Sequence, residues 1–450
     1  MSAETGIRVA VGAPSAPRRG GVFFGWRVVG AAFVVAVFAW GTGFYGPSVF
    51  LHALHEGRGW PVSTISAAIT CHFLLSAAIG ARLPAIHSRF GIAATTRAAA
   101  VATALGALAW ALAAEPWHLF PAALVSGAGW AGTSAAAVSA MVAPWFERRR
   151  AAALSMAFNG ASVGGVVFAP LWALLIAGWG FAAAAVAIGS AMVAAVWWLA
   201  GRYLRPTPGG MGLVPDGDAS STNDPTIPVS TETARPPLPA GAAVWRDRRF
   251  ATLSAAFALG LFAQIGLIAH LFSLLAPALG AAGAGAAVSL TTACAVLGRT
   301  LFGALLPERA DRRVAAAANF AVQVAGSLAL LASGGTSVPL LLLGCALFGL
   351  GVGNMISLPP LIAQAEFARG DVARVVALVF AFTQAVFAFA PAGFGLLRDA
   401  ADGGWASVLA AAVVQVGAAA TVLAGRPRQE IGPWRRRWGP RRRSEETARR

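Results

Sequence analysis

Apolar residues come in runs of twenty or more, broken by short polar junctions. Six runs lie at roughly 25–52, 61–84, 93–113, 117–142, 151–172 and 175–203, and six more at 248–277, 283–306, 313–333, 337–364, 373–398 and 404–425. A membrane-crossing helix needs about 20 such residues. Backbone polar groups in hydrocarbon must pair within their own segment, so these runs are helices rather than isolated strands. The pattern predicts an all-α membrane protein of twelve transmembrane helices. Between the sixth and seventh runs lies PTPGGMGLVPDGDASSTNDPTIPVSTETARPPLP, whose composition is that of a flexible linker. The expected organisation is a disordered tail at 1–21, a six-helix half at 22–203, a linker at 204–247, a second half at 248–425 and a basic tail at 426–450. The first tail lacks a signal peptide's apolar core and cleavage site, so the first helix is expected to act as an uncleaved signal.

Composition agrees with lipid as the solvent. Of 450 residues, 57% are hydrophobic and 12% charged, about half the charged share of a soluble protein. Mean hydropathy is +0.68. The net charge of +16 comes from arginine alone, since the chain has no lysine. Those arginines mark topology and make no nucleic-acid surface. Arg8, Arg18, Arg19, Arg82, Arg89, Arg97, Arg148, Arg149, Arg150, Arg309, Arg312, Arg313, Arg369 and Arg374 fall in the tails and even-numbered junctions, whereas the odd-numbered junctions hold only Arg58 and Arg398. Arginine-rich segments stay cytoplasmic, so both termini and the linker are expected in the cytoplasm of a cell with this protein in its inner (plasma) membrane. In the 426–450 tail, ten arginines against three glutamates suit the anionic leaflet. Cys71, Cys294 and Cys345 lie singly inside apolar runs, which argues against a disulfide framework or a metal site.

The two sets of six runs echo each other. Arg89 follows helix two and Arg309 follows helix eight, while Phe146-Glu147 precedes helix five and Glu366-Phe367 precedes helix eleven. Two parallel six-helix repeats joined by a cytoplasmic linker make a transporter architecture, with the site between the halves.

Several stretches then resemble the major facilitator superfamily over about residues 22–425, and within it the monocarboxylate and oxalate–formate branch. They are FFGWRVVGAAF, GWPVSTIS, APWFERRRAAALSMAFNGASVGG, AHLFSLLAPALG and GRTLFGALLPERADRR. The superfamily's loop between helices two and three reads G-x-L-x-D-R-x-G. This chain keeps Arg89 and Gly91 but has Pro84 and Ser88 at the first Gly and the Asp. The resemblance implies a gate at Arg89, Gly91 and Arg309, and it makes the helix-eight arginine an anion anchor. Ser48 stands where animal members carry a helix-one lysine, and Ala295 where they carry an aspartate.

The residues themselves point the same way. Arg299 lies about four residues past the centre of helix eight, roughly 6 Å from the midplane at 1.5 Å per residue. An arginine at that depth costs about 2.5–3.5 kcal/mol on insertion scales, and no acid in helix eight neutralises it. A charged bidentate donor facing a cavity suits a carboxylate supplied by the substrate. The alternative is a structural arginine bonded to backbone carbonyls. His270, toward the outer end of helix seven, is a candidate proton relay or a packing residue. Tyr45, in a helix broken by Gly41, Gly43, Gly46 and Pro47, is a candidate hydroxyl donor to substrate or an interface anchor. Asn159, Gln264, Asn354 and Gln384 either line the cavity or tie helices together, and His72 is equally open.

These features predict a secondary transporter, not an enzyme, that moves a small organic anion such as a monocarboxylate by alternating access. Proton symport and anion exchange both remain open, since no Asp or Glu lies mid-membrane. The chain is expected to work as a monomer in the lipid bilayer without a cofactor or bound metal. A multidrug or amphiphile exporter of the same fold is the alternative, and a non-transporting membrane sensor is the alternative from another class.

Overall fold

A computed structural model of the chain describes residues 23–217, 239, 241–307, 310–401 and 404–426. The 1–21 tail, most of the linker, Arg309 and the arginine-rich tail lie outside them. Twelve membrane passes follow. The first half holds α1 (Phe24–Arg58), α2 (Val62–Phe90), α3 (Ile92–Leu112), α4 (Leu119–Ala131 continued by Ala135–Val142), α5 (Arg150–Trp179) and α6 (Phe181–Leu204). In the second half, one helical run, Arg248–Leu305, folds back at Gly280 and supplies both α7 (248–279) and α8 (281–305). Then come α9 (Arg312–Ala332), α10 (Val338–Val352 and Leu358–Glu366), α11 (Arg369–Phe387 and Ala390–Ala400) and α12 (Trp405–Ala424).

Ten segments are long and apolar enough to cross a membrane as single helices. The count reaches twelve because Arg248–Leu305 crosses twice and α4 is two short pieces. At Gly280, φ 68° and ψ 170° reverse the chain, a conformation that glycine adopts freely because it has no Cβ. Among the described residues no strand occurs.

The halves are related by their pairings. In the first, Arg97 near the start of α3 donates to the Trp197 carbonyl near the end of α6, by Nε at 3.1 Å and Nη2 at 2.9 Å. In the second, Arg313 at the start of α9 donates to the Val422 carbonyl near the end of α12 at 3.1 Å. The environments differ. Arg313 is wholly buried and bidentate to Glu366 at the end of α10, at 2.6 and 2.8 Å. Its remaining donors reach Thr252 and the Arg249 carbonyl.

The linker takes part in the fold. Asp216, at φ 64° and nearly buried, accepts from the backbone N–H groups of Glu147, Arg148 and Arg149 at 3.0, 2.8 and 3.2 Å. Arg149 is the N-cap residue of α5 and Glu147 and Arg148 form the turn before it, so a linker carboxylate caps the turn that leads into the helix. Burial works to raise the Asp216 carboxyl. The N–H groups of Arg148, Glu147 and Arg149, with the Arg148 charge, more than offset that and hold it below the usual carboxylate range. A depressed folded value gives stability that is present above the unfolded value near pH 4 and lost as pH falls through the folded one. Asp216→Ala is therefore expected to lower stability at pH 7 by about 1–2 kcal/mol, the usual cost of losing a helix cap. The gap in melting temperature between wild type and variant should close as pH drops below about 4. A gap that stays constant into strong acid would show that the carboxylate charge has no part in it.

Cross-half contacts are confined to one end. There Ser63 N–H donates to Asp399 at 2.9 Å, Ala392 N–H to Thr70 at 3.1 Å, and Ser289 to the Val166 carbonyl at 2.6 Å. The second segment of α11 packs along α2, and its first segment hardly touches it. A void of about 10 Å³ lies among Phe44, Ile69 and Ile265. At the other end, which carries the linker and both terminal helix ends, Arg82, Arg89 and Phe90 are exposed. The facing sides of α2, α5 and α11 also pass from buried to exposed toward that end, at Ala81, Asn159 and Ala381, so the halves part there in a cleft.

Candidate functional site

Three elements converge where the closed end meets the cleft. A π-turn at Trp40–Phe44 interrupts α1, and Tyr45 N–H bonds back to the Trp40 carbonyl at 2.8 Å. The carbonyl of Gly41 inside that turn accepts from the Trp172 indole at 3.3 Å. Such turns widen the helix and re-aim the side chain that follows; here that is Tyr45, buried in the core. On α5, Gly165 leaves the necessary space. A Cβ there would come within 2.6 Å of both the Tyr45 ring and Thr292 of α8. The Tyr45 ring and Thr292, whose hydroxyl bonds back to the Val288 carbonyl, meet over Gly165, and the phenol lies within Coulombic reach of Arg299, two turns further along α8.

Arg299 is partly buried, and its Nε donates to the Gly353 carbonyl of α10 at 3.0 Å. That carbonyl lies at the Gly353–Met355 kink, which breaks α10 into two segments. One guanidinium edge is thus fixed by backbone of its own half, and no carboxylate pairs with the rest among the described residues. Residues 285, 289, 292, 296 and 299 recur at helical spacing on one side of α8. Gly285, Ser289 and Thr292 pack against α1 and α5, so Arg299 continues that side into the open cleft. Asn159 does the same from α5, on the face of Val166 and Pro170. Gln384 does so from α11, on the face of Phe387, Pro391 and Gly395, of which Phe387 and Gly395 touch α2. The structure brings Arg299, Tyr45 and Thr292 together and sets Asn159 and Gln384 on the cleft walls.

Other candidates lie elsewhere. Asn354 donates to Asn319 at 2.9 Å within a buried α9–α10 network. His72 pairs with Ser126 at 2.9 Å, and Ser126 also accepts from Trp110. Both tie helices of one half together. Gln264 is buried on α7 with its side-chain oxygen unpartnered. His270 is fully buried in the closed end, far along α7 from the cleft. Its Nε2 lies 3.1 Å from the Pro391 carbonyl and 3.5 Å from Ser66, and its Nδ1 is 3.4 Å from Arg398. A guanidinium only donates, so Nδ1 accepts and Nε2 carries the proton toward Pro391. Arg398 also donates to Ser273. At the expected gate, Gly91 turns between α2 and α3 at φ 79°, Ser88 bonds back to the Ala85 carbonyl, and Arg89 is exposed against Phe90.

Sequence reasoning passed over Thr292, Arg398 and Asp399. Arg398 carried a signal: it was one of only two arginines in the arginine-poor junctions. No group of three His, Cys, Asp or Glu placed to hold a metal ion occurs among the described residues.

Two six-helix halves, closed on each other at one end and parted at the other around an arginine inside the bundle, have the architecture of a membrane transporter. The chain belongs to the Major Facilitator Superfamily, whose pattern matches residues 31–391. In structure it is similar to the nucleoside transporter NupG, with TM-score 0.68 at 12% identity over 90% of this chain and 99% of that one. A bacterial homolog of the human lysosomal transporter Spinster, inward-facing and occupied, gives 0.65 at 16% identity over 90% and 97%. A POT family transporter in complex with a thioalcohol-conjugated peptide gives 0.64 at 14% over 88% and 95%. No curated protein matches the chain in sequence.

Proposed function

We propose that this transporter carries a small organic anion of the monocarboxylate kind, with Arg299 as its counter-charge. The observation that carries the reading is the Arg299 guanidinium at the head of the cleft. It is held on one edge by the Gly353 carbonyl, beside Tyr45 and Thr292, with no acid to neutralise it among the described residues. An arginine kept at that depth is a functional candidate by default, and a carboxylate matches its paired donors. The structural relatives handle nucleosides and peptides, so the fold by itself does not choose the cargo. A melting-temperature screen of purified protein against organic acids tests this. A ligand that binds only the folded state raises its stability, and the expected hits are small carboxylates rather than neutral or cationic amphiphiles.

The linker end is cytoplasmic on this reading, by the arginine asymmetry of the junctions, so the open cleft faces inward in the inner membrane. Reporter fusions at residues 225 and 450 are expected to be active only for cytosolic reporters. A periplasmic signal at either position would overturn the sidedness.

Coupling follows from where His270 sits. Locked between Arg398 and the Pro391 carbonyl, it acts in the closed end's packing and not as a proton relay, and anion exchange needs no relay. His270→Ala should then affect pH-driven uptake and counterflow exchange alike. Selective loss of pH-driven uptake, with exchange intact, would restore the relay.

A further inference from the structure

A groove of about 890 Å³ lies away from the cleft, on the outer flank of the first half between α3 and α6. Small residues make its floor: a Cβ on Gly189 of α6 would come to 3.0 Å from the Ala104 Cβ of α3. Its rims are apolar and open to the membrane, with Leu105 56% and Trp198 62% exposed. The groove ends toward the linker end at two arginines, Arg97 and Arg202. From Arg97 to Leu108 it follows eleven residues of α3, roughly 16 Å at 1.5 Å per residue. That is about half of the ~30 Å hydrocarbon thickness, the depth of one leaflet.

Among the described residues no carboxylate answers the charge at its mouth, although Arg97 stacks over the Trp197 ring at 4.8 Å. Arg97 uses Nε and Nη2 on the Trp197 carbonyl, just before a π-turn at Ala200–Leu204. Its other amino group faces no carboxylate among the described residues. Arg202 is exposed and leans over Tyr203 at 5.8 Å. The second half shows what completes this arrangement. There Arg313, the counterpart of Arg97, makes the same helix-end contact and is neutralised by Glu366. The α9–α12 seam beside it is closed by a Ser327–Gln415–Gln323 hydrogen-bond chain. The first half has a groove along this seam and, among the described residues, no acid beside Arg97.

We propose that the α3–α6 groove binds one anionic phospholipid, its acyl chain along the groove and its phosphate on Arg97 and Arg202. Phosphate supplies the bidentate acceptor that Glu366 supplies to Arg313, and an acyl chain fills an apolar trough that opens to lipid. This site is separate from the proposed anion-binding cleft and does not depend on its cargo.

The test is native mass spectrometry of the purified full chain, titrated with phosphatidylglycerol or with phosphatidylcholine of the same acyl chains. Wild type should retain one phosphatidylglycerol with roughly thirtyfold preference, given about fivefold per arginine near an anionic headgroup. Arg202→Ala, an exposed position, should lose about fivefold. The Arg97→Ala/Arg202→Ala pair should lose the preference, with a modest fall in melting temperature from the lost contacts to the Trp197 carbonyl that Arg202→Ala alone does not show. Ala194→Phe, which blocks the groove without touching a charge, should lower retention of the lipid with both arginines intact. Equal retention of the two lipids by wild type, or unchanged retention in Arg202→Ala and Ala194→Phe, would overturn the proposal. So would inorganic phosphate displacing no lipid yet protecting the arginines, or a lipid-free dimer that Ala194→Phe dissociates, since the groove would then seat a second copy.

Discussion

Replacing Arg299 with alanine is expected to leave a folded, inserted protein that binds organic anions about 30- to several-thousand-fold more weakly, the equivalent of about 2–5 kcal/mol for a desolvated charge pair. The substitution gives up one hydrogen bond, from Nε to the Gly353 carbonyl, worth about 1.5–3 kcal/mol for a charged donor. It also removes an insertion cost of about 2.5–3.5 kcal/mol, so net stability should change little. Arg299→Lys keeps the charge but loses the paired donors and the fixed edge on Gly353, so it should rescue binding only in part. Melting temperature and ligand affinity measured on the same preparations separate the outcomes. A well-folded alanine variant with normal affinity would remove the anion-carrier reading and favour an amphiphile exporter. A variant that melts early, with the surviving protein binding normally, would make Arg299 a structural brace for the α10 kink.

The largest loss of stability is expected at Glu366. Arg313 is fully buried, and Glu366 takes two of its donors at 2.6 and 2.8 Å. Glu366→Ala leaves that charge buried with only neutral partners in Thr252, Val422 and Arg249, at a cost of about 3–5 kcal/mol. Removing both partners together, as Arg313→Met with Glu366→Leu, takes away the desolvation cost along with the attraction. The double variant should therefore melt well above the Glu366→Ala protein. Losses in Arg313→Met and Glu366→Leu that simply add up to the loss in the double would show that the pair is not coupled. The contrast with Arg97, which has no acid, predicts that Arg97→Ala is much milder.

Much of this was legible along the chain. Helix number and the all-α class follow from run length, because lipid forces every polar backbone group to pair within its own segment. Gly280 had no warning in hydropathy, since a helix that folds back between two apolar runs looks the same as a loop. Arg299 was legible because a charge inside an apolar run has few explanations, and Tyr45 because four helix-breaking residues surround it. His270 was not. A lone histidine reads alike whether it faces a cavity or an interface, and only the packing of α11 sets Arg398 and Pro391 around it. Asn159 and Asn354 show the same ambiguity resolved in opposite directions. One is left on a cleft wall, and the other is bound to Asn319 across α9.

The order of residues along the chain is enough to say where it crosses the membrane, how its halves repeat and which charge lacks a partner in its own helix. Those properties depend on hydropathy and spacing, which act within one helix. Packing between helices sets the rest: which end of the bundle is closed, that Thr292 meets Tyr45 across the halves, and that a linker aspartate caps the turn into α5. Each joins side chains from helices far apart in the chain, and the geometry of helix packing, not the pattern along any one helix, brings them into reach.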